Sequence, residues 1–212
     1  ARSFTATSGP GVSLMSEFLG LAYYSELPVV LVDVQRSGPS TGMPTRTQQS
    51  DFISAAYASH GDTKHILLIP STPTECFDMM ADAFDLAEQL QTPIIMMSDL
   101  DLGMNEHITP PFKWDDDRKY KRGKVLTAEQ LESLPSWGRY RDVDGDGIPY
   151  RTIPATHPSK GSYFTRGSSH DENAAYSEDS PTYVRIMDRL LRKLDTAKKM
   201  IPAPQFYQSG KN

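Results

Sequence analysis

The chain has a single cysteine, Cys76, in 212 residues. A disulfide framework within the chain is excluded, which fits a reducing compartment and makes a cytoplasmic location the expectation. One thiol is also too few ligands for an iron–sulfur cluster, so any cluster working with this chain has to be held elsewhere. No apolar run reaches the ~18 residues of a membrane span, and no signal-peptide pattern is present, so no membrane partner is expected. Positive charge is in deficit: 22 Lys and Arg face 27 Asp and Glu, a formal net charge of −5. The basic residues form no long run either, which argues against a nucleic-acid partner. A nicotinamide fingerprint, Gly-x-Gly-x-x-Gly, and a nucleophile elbow, Gly-x-Ser-x-Gly, are both missing. The histidines at 60, 65, 107, 157 and 170 show no metal-ligand spacing with one another or with Cys76.

What is present lies mainly in the first half. Hydrophobic residues make up 38% of the chain, enough for one core, and they thin out after Met104. Residues 2–7 alternate as a short strand. The turn Ser8-Gly9-Pro10-Gly11 then opens a helix in which Val12, Met15, Leu19 and Ala22 recur at helical spacing. Pro28 stops that helix. PVVLVDVQ at 28–35 is a short, β-branched apolar run, the pattern of a strand buried on both faces. A long loop at 36–50 follows, RSGPSTGMPTRTQQS, with Ser50 or Asp51 placed to cap a helix over 51–59. HILLIP at 65–70 is the next strand. Thr72, Pro73 and Glu75 form a capping box, and Phe77, Met80, Phe84 and Ala87 line one face of the helix behind it. PIIMMSD from Pro93 is another strand. Strands alternating with amphipathic helices predict a doubly wound parallel α/β sheet over 1–104. Residues 105–180 predict an irregular segment that wraps over the core or a partner. Residues 181–212 predict a C-terminal helix and tail, with Ile186, Leu190, Leu194 and Ala197 as its apolar face and Arg and Lys covering the rest. The chain opens on Ala1 and ends in PAPQFYQSGKN, which reads as a fragment of a longer polypeptide with an unstructured tail.

Both glycine-proline turns follow strands, so both fall on the ligand edge of such a sheet. Their glycines allow close backbone approach, and Arg36 and Arg46 flank the second turn, where a guanidinium can bind a carboxylate through two parallel hydrogen bonds. Asp142, Asp144 and Asp146 in DVDGDG match the opening of a calcium loop, but the twelfth position is Ile153 rather than glutamate. A glycine-rich turn with solvated acids is the expectation there.

The string TSGPG…PVVLVDVQRSGPSTGMPTRTQQSD, continuing through STPTECFDM, DLAEQLQTPIIMMSDLDLGMN, GRYRDVDGDGIPYRT, THPSKGSYFTRGSSHDE and DRLLRKLDTAKK, resembles the α subunit of 2-oxoacid:ferredoxin oxidoreductases, the 2-oxoglutarate type in particular. The resemblance covers nearly the whole chain. It implies the pyrimidine-binding domain of a thiamine diphosphate enzyme, with Thr7, Ser8, Gly9 and Pro10 lining the cofactor pocket. It implies a β subunit that carries the diphosphate-binding domain, Mg2+ and an iron–sulfur cluster, and hence a hetero-oligomer. The reaction implied is oxidative decarboxylation of a 2-oxoacid, with electrons passing to ferredoxin and coenzyme A taking the acyl group as co-substrate. The family's substrate-binding arginine falls in PTRTQQSD, which favours Arg46, with Arg36 second. The family's Tyr-Pro-Ile-Thr-Pro motif and its activating glutamate are not in this sequence and are expected upstream of Ala1. Two other readings stay open: a related enzyme acting on pyruvate or branched 2-oxoacids, and a structural subunit without catalytic residues.

Overall fold

A computed structural model describes residues 2–206. Its centre is a four-stranded sheet of β1 (Phe4–Thr7), β2 (Val29–Gln35), β3 (Ile66–Leu68) and β4 (Pro93–Asp99). The spatial order is β1-β2-β4-β3, and every pair is parallel. Parallel neighbours require crossovers, and helices supply them. The helices are α1 (Ser16–Ser25), α2 (Phe52–Ala56), α3 (Pro73–Leu90), α4 (Leu100–Met104), α5 (Ala128–Ser133) and α6 (Ser180–Ala197).

The strands read as continuous apolar runs because both faces of the sheet are covered. Val30, Ile94 and Met96 point to one side, onto Ala83, Leu86, Ala87 and Leu90 of α3 and Ala197 of α6. Leu31, Ile95 and Met97 point to the other, onto Val12, Leu19 of α1, Ala55 of α2 and Ala58. Burying each large side chain contributes about 1.5–3 kcal/mol, so the β2–β4 pair, in register from Val29↔Pro93 to Gln35↔Asp99, is the stable centre. A third cluster joins Tyr23 of α1 to Tyr140, Ala174 and Ile186, Met187 and Leu190 of α6.

Several local expectations change. The SGPG turn opens a 3-10 segment, Gly9–Met15, and the α-helix starts only at Ser16. The helix expected over 51–59 is confined to Phe52–Ala56, and the Asp51 side chain makes no capping bond to it. Thr72 does cap α3 by accepting from the Glu75 N–H at 3.1 Å, while the Glu75 carboxylate accepts from the Ser71 N–H and hydroxyl. The inner stripe of α3 is Ala83, Leu86, Ala87 and Leu90. Phe77 lies outside it and stacks on Phe112, ring centroids 5.1 Å apart. In α6, Ile186, Leu190 and Ala197 are buried as expected, but Arg189 and Lys193 are buried with them.

Residues 105–179 carry α5 and isolated bridges, Val125↔Arg151 and His170↔Tyr176, in otherwise irregular chain. This stretch is tied to the core by charge. Arg118 meets Asp85 of α3 at 2.9 Å, and Arg122 meets Glu88 at 2.6 Å. Residues 202–206 carry no regular structure, and the rest of the expected tail, 207–212, lies outside the described residues. Among the described residues no helix is long and apolar enough to cross a membrane.

Candidate functional site

The chain leaves β1 into SGPG and leaves β2 into the 36–50 loop. Because these strands are adjacent and parallel, both turns leave the sheet at the same edge. They meet at an open cleft of about 630 Å3, lined by Gly9, Pro10, Gly38, Pro39, Asp51 and Tyr57 among others. The two glycine-proline rims are thus brought together.

The first rim needs its glycines. Gly9 has φ +53, and a Cβ there would sit 3.0 Å from the Arg36 side chain; a Cβ on Gly11 would sit 1.9 Å from the Thr7 hydroxyl. The rim is packed against β1 on one side and the β2 exit on the other. The Gly9 N–H does not face outward. It donates to Asp33 Oδ1 at 3.0 Å in a buried bond, so the N–H that the turn was expected to offer a ligand is already engaged. The adjacent Ser8 hydroxyl is buried with no hydrogen-bond partner.

The two arginines differ in kind. Arg36 is 8% exposed and folds back on its own loop, donating to the carbonyls of Thr41 at 3.0 Å, Met43 at 3.3 Å and Ser37 at 3.4 Å. It holds the 36–43 bend closed from inside. Arg46 is exposed, and its guanidinium donates to the carbonyl of its chain neighbour Thr45 at 3.1 Å. The Arg46 backbone is fixed, since its carbonyl accepts from the Ser37 N–H at 2.8 Å. An anchored backbone carrying an exposed guanidinium, held among the described residues only by its neighbour's carbonyl, suits capture of a carboxylate. Thr7 and Ser8 sit behind the rim rather than on the cleft lining, where Gly9 and Pro10 lie.

Asp33 was not singled out from sequence, and Asp51 was expected only as a helix cap. Asp33 is fully buried at the end of β2, on the same face as Leu31 and Gln35. Burial first, and then the Asp51 carboxyl, push its pKa up to about 7, against the opposing pull of the Gly9 N–H. A signal existed: an acid inside an apolar strand, two residues from an inward leucine, points inward as well.

Elsewhere the candidate motifs resolve differently. The DVDGDG acids are partnered, and Asp144 is also exposed as expected. Asp142 accepts from the Gly145 and Gly147 N–H groups at 2.9 and 3.0 Å and from Arg192 at 2.7 Å. Lys124 meets Asp144 at 2.7 Å and Asp146 at 2.8 Å. His65 and His170 are buried, and burial holds both imidazoles below their usual pKa. His60 and His107 are exposed, away from any acid or thiol cluster that could hold a metal among the described residues.

A parallel sheet covered on both faces, with a polar cleft where adjacent strands exit, defines an α/β ligand-binding domain. The chain belongs to the family described as pyruvate flavodoxin/ferredoxin oxidoreductase, thiamine diphosphate-binding, whose model matches residues 1–185. Among curated relatives, the 2-oxoglutarate synthase subunit KorA of Methanothermobacter marburgensis is 39% identical over 198 residues, covering 91% of this chain and 49% of that protein. The 2-oxoglutarate oxidoreductase subunit KorA of Mycobacterium tuberculosis is 46% identical over 143 residues, covering 68% of this chain and 21% of that one. A solved 2-oxoglutarate:ferredoxin oxidoreductase from Magnetococcus marinus, with 2-oxoglutarate, coenzyme A and succinyl-CoA bound, superposes with a TM-score of 0.83 at 32% identity. It covers 95% of this chain and 34% of that chain. The chain therefore spans about half or less of the length of these relatives.

Proposed function

We propose that this chain forms the pyrimidine-facing side of a thiamine diphosphate site in a 2-oxoacid:ferredoxin oxidoreductase, with 2-oxoglutarate as the 2-oxoacid. The carrying observation is the convergence of the two glycine-proline rims on one cleft, in a chain whose family is described as thiamine diphosphate-binding. The residues present fit one end of that cofactor. Gly9 puts bare backbone and Pro10 a compact apolar ring on the cleft lining, against which a flat ring can lie, and the unpartnered Ser8 hydroxyl is next to them in the chain. The Mg2+ at the diphosphate end needs an acidic or histidine cluster that the described residues do not gather, so the reading assigns both to a β subunit. The same subunit would carry the iron–sulfur cluster, since Cys76 is the one thiol here.

When bound, the cofactor supplies the carbon nucleophile that adds to the substrate's keto group. This chain's part is binding and orientation. Neither arginine lines the cleft; on this reading Arg36 keeps the loop shaped, while the exposed Arg46 would swing in from its fixed backbone to the substrate carboxylate. Its hold on the carboxylate must loosen toward the transition state, because the same carboxylate leaves as CO2. Ferredoxin would take the electrons and coenzyme A the acyl group. Residues 105–180 would serve as the wrap between this core and its partner.

The test is Arg46→Ala in the complete complex. A KM for 2-oxoglutarate raised at least tenfold, about 1.4 kcal/mol of lost binding, is expected. An unchanged KM removes Arg46 from the site. Turnover with pyruvate and with branched 2-oxoacids, side by side with 2-oxoglutarate, decides the substrate.

A further inference from the structure

The cleft floor contains a pairing that the functional reading does not use. Asp33 Oδ1 accepts the Gly9 N–H of the first rim. Its other oxygen, Oδ2, is buried with no donor, and so is Asp51 Oδ2. The Asp51 N–H bonds the side chain of Gln35, two residues on from Asp33 and on the same face of β2, which sets the two carboxyl groups side by side. Two ionised carboxylates in that position repel, and neither could satisfy the other. One proton between them removes both problems.

We infer that Asp33 and Asp51 share a single proton, and that this proton latches the SGPG rim to the far end of the 36–50 loop. Asp33 is then a positioning residue: it acts on the cleft through Gly9 on one side and Asp51 on the other. Asp51 is otherwise held by the Gln35 amide oxygen, which accepts its N–H at 3.2 Å, and by the Ser50 hydroxyl, also at 3.2 Å. Among the described residues, no cation is hydrogen-bonded or ion-paired to either carboxyl. The register neighbours of Asp33 are Thr7 on β1 and Met97 on β4, both uncharged. Arg36 turns its guanidinium to loop carbonyls, and Asp99 at the end of β4 is engaged by the Gln49 amide at 2.6 Å and the Leu102 N–H at 3.0 Å. Tyr57 stands on the cleft wall and makes no hydrogen bond to either carboxyl. Loss of the shared proton therefore sets two like charges against each other at the point where the rims join. The consequence for catalysis rests on the thiamine diphosphate reading; the latch itself does not.

The experiment is amide hydrogen exchange on the chain without cofactor, corrected for intrinsic rates, from about pH 6 to about pH 8. Protection at Gly9 and over 48–51 is expected to fall roughly tenfold across that range in the unaltered chain. Asp33→Asn can still accept from Gly9 and can donate an amide proton to Asp51 without titrating, so its protection stays flat. Asp51→Asn is expected to be flat for the mirror reason, and serves if Asp33→Asn does not fold. A carbon-13 titration of the unaltered Asp33 carboxyl accompanies these. Overturning results are a flat profile in the unaltered chain, the same transition in either Asn variant, or an Asp33 midpoint in the ordinary carboxylate range. Because no cofactor is present, failure of the assembled complex to bind thiamine diphosphate would remove the functional reading and leave this result standing.

Discussion

Glu26, the residue that ends α1, accepts a hydrogen bond from the Lys193 ammonium of α6 at 2.9 Å, with both side chains buried. Arg189, one turn earlier on α6, bonds the other Glu26 oxygen, and Arg139 donates to the Glu26 carbonyl at 3.1 Å. Three cations thus face one carboxylate inside the protein. Burial alone would raise the pKa of Glu26, but Arg189 and Lys193 outweigh it and hold it down at about 2. Burial, aided by Arg189, brings Lys193 down to about 8 even though Glu26 pulls it the other way.

Glu26→Gln removes the carboxylate that Arg189 and Lys193 share and leaves their buried charges short of a partner. A loss of about 3–5 kcal/mol is expected in denaturant unfolding. The exposed Glu132, paired with His157 and Lys160, is the control, and Glu132→Gln is expected to unfold with the unaltered chain. The acid limb follows from the sign. Glu26 is depressed from 4.5 to about 2 in the fold, so its contribution is complete above about pH 4.5 and is lost as pH falls through about 2.

Asp33 has the opposite sign. Its folded pKa is raised from 3.8 to about 7, so the folded chain keeps a proton that the unfolded chain has released. Stability is expected to fall as pH rises from about 4 to about 7 and then level off, by at most ~1.4 kcal/mol per pH unit. Thermal melts across that window should show the slope in the unaltered chain and a reduced slope in Asp33→Asn.

The two arginines should separate cleanly. Arg36→Ala removes donors from three loop carbonyls and is expected to lower stability by about 1–3 kcal/mol and to open 36–43 to proteolysis. Arg46→Ala leaves melting temperature and proteolysis unchanged, because its side chain is exposed. Equal destabilisation by both would contradict the assignment of structural work to Arg36.

Gly147 has φ +81, and a Cβ there would lie 2.3 Å from the Lys193 backbone nitrogen and 2.7 Å from the Arg189 carbonyl oxygen. Gly147→Ala is expected to push the DVDGDG turn off α6 and cost more than about 2 kcal/mol. Gly145 also has positive φ, but a Cβ there meets nothing, so Gly145→Ala should cost only about 1–2 kcal/mol. Paired chemical melts give the comparison.

Much of this was legible in the residues. PVVLVDVQ and PIIMMSD announce buried strands because their apolar content is continuous, and the alternation with helices fixes a parallel sheet and a shared edge for both turns. What escaped notice is where charge goes inside. Arg189 and Lys193 look like a solvated face of α6, since helical periodicity cannot reveal that Glu26, more than 160 residues away in sequence, waits beneath them. Asp51 looks like a helix cap, and only the fold shows its carboxyl turned toward Asp33 instead. Phe77 fits the apolar stripe of α3 by spacing, but packs against Phe112 from the irregular segment, whose path no periodicity encodes.

The central claim is that the two glycine-proline rims together face the cofactor. Its most direct test is hydrogen exchange on the assembled complex with and without thiamine diphosphate. Slowed exchange at both 9–13 and 37–51 on cofactor addition is the predicted result. Protection confined to other parts of the chain, with both rims unchanged, would contradict it.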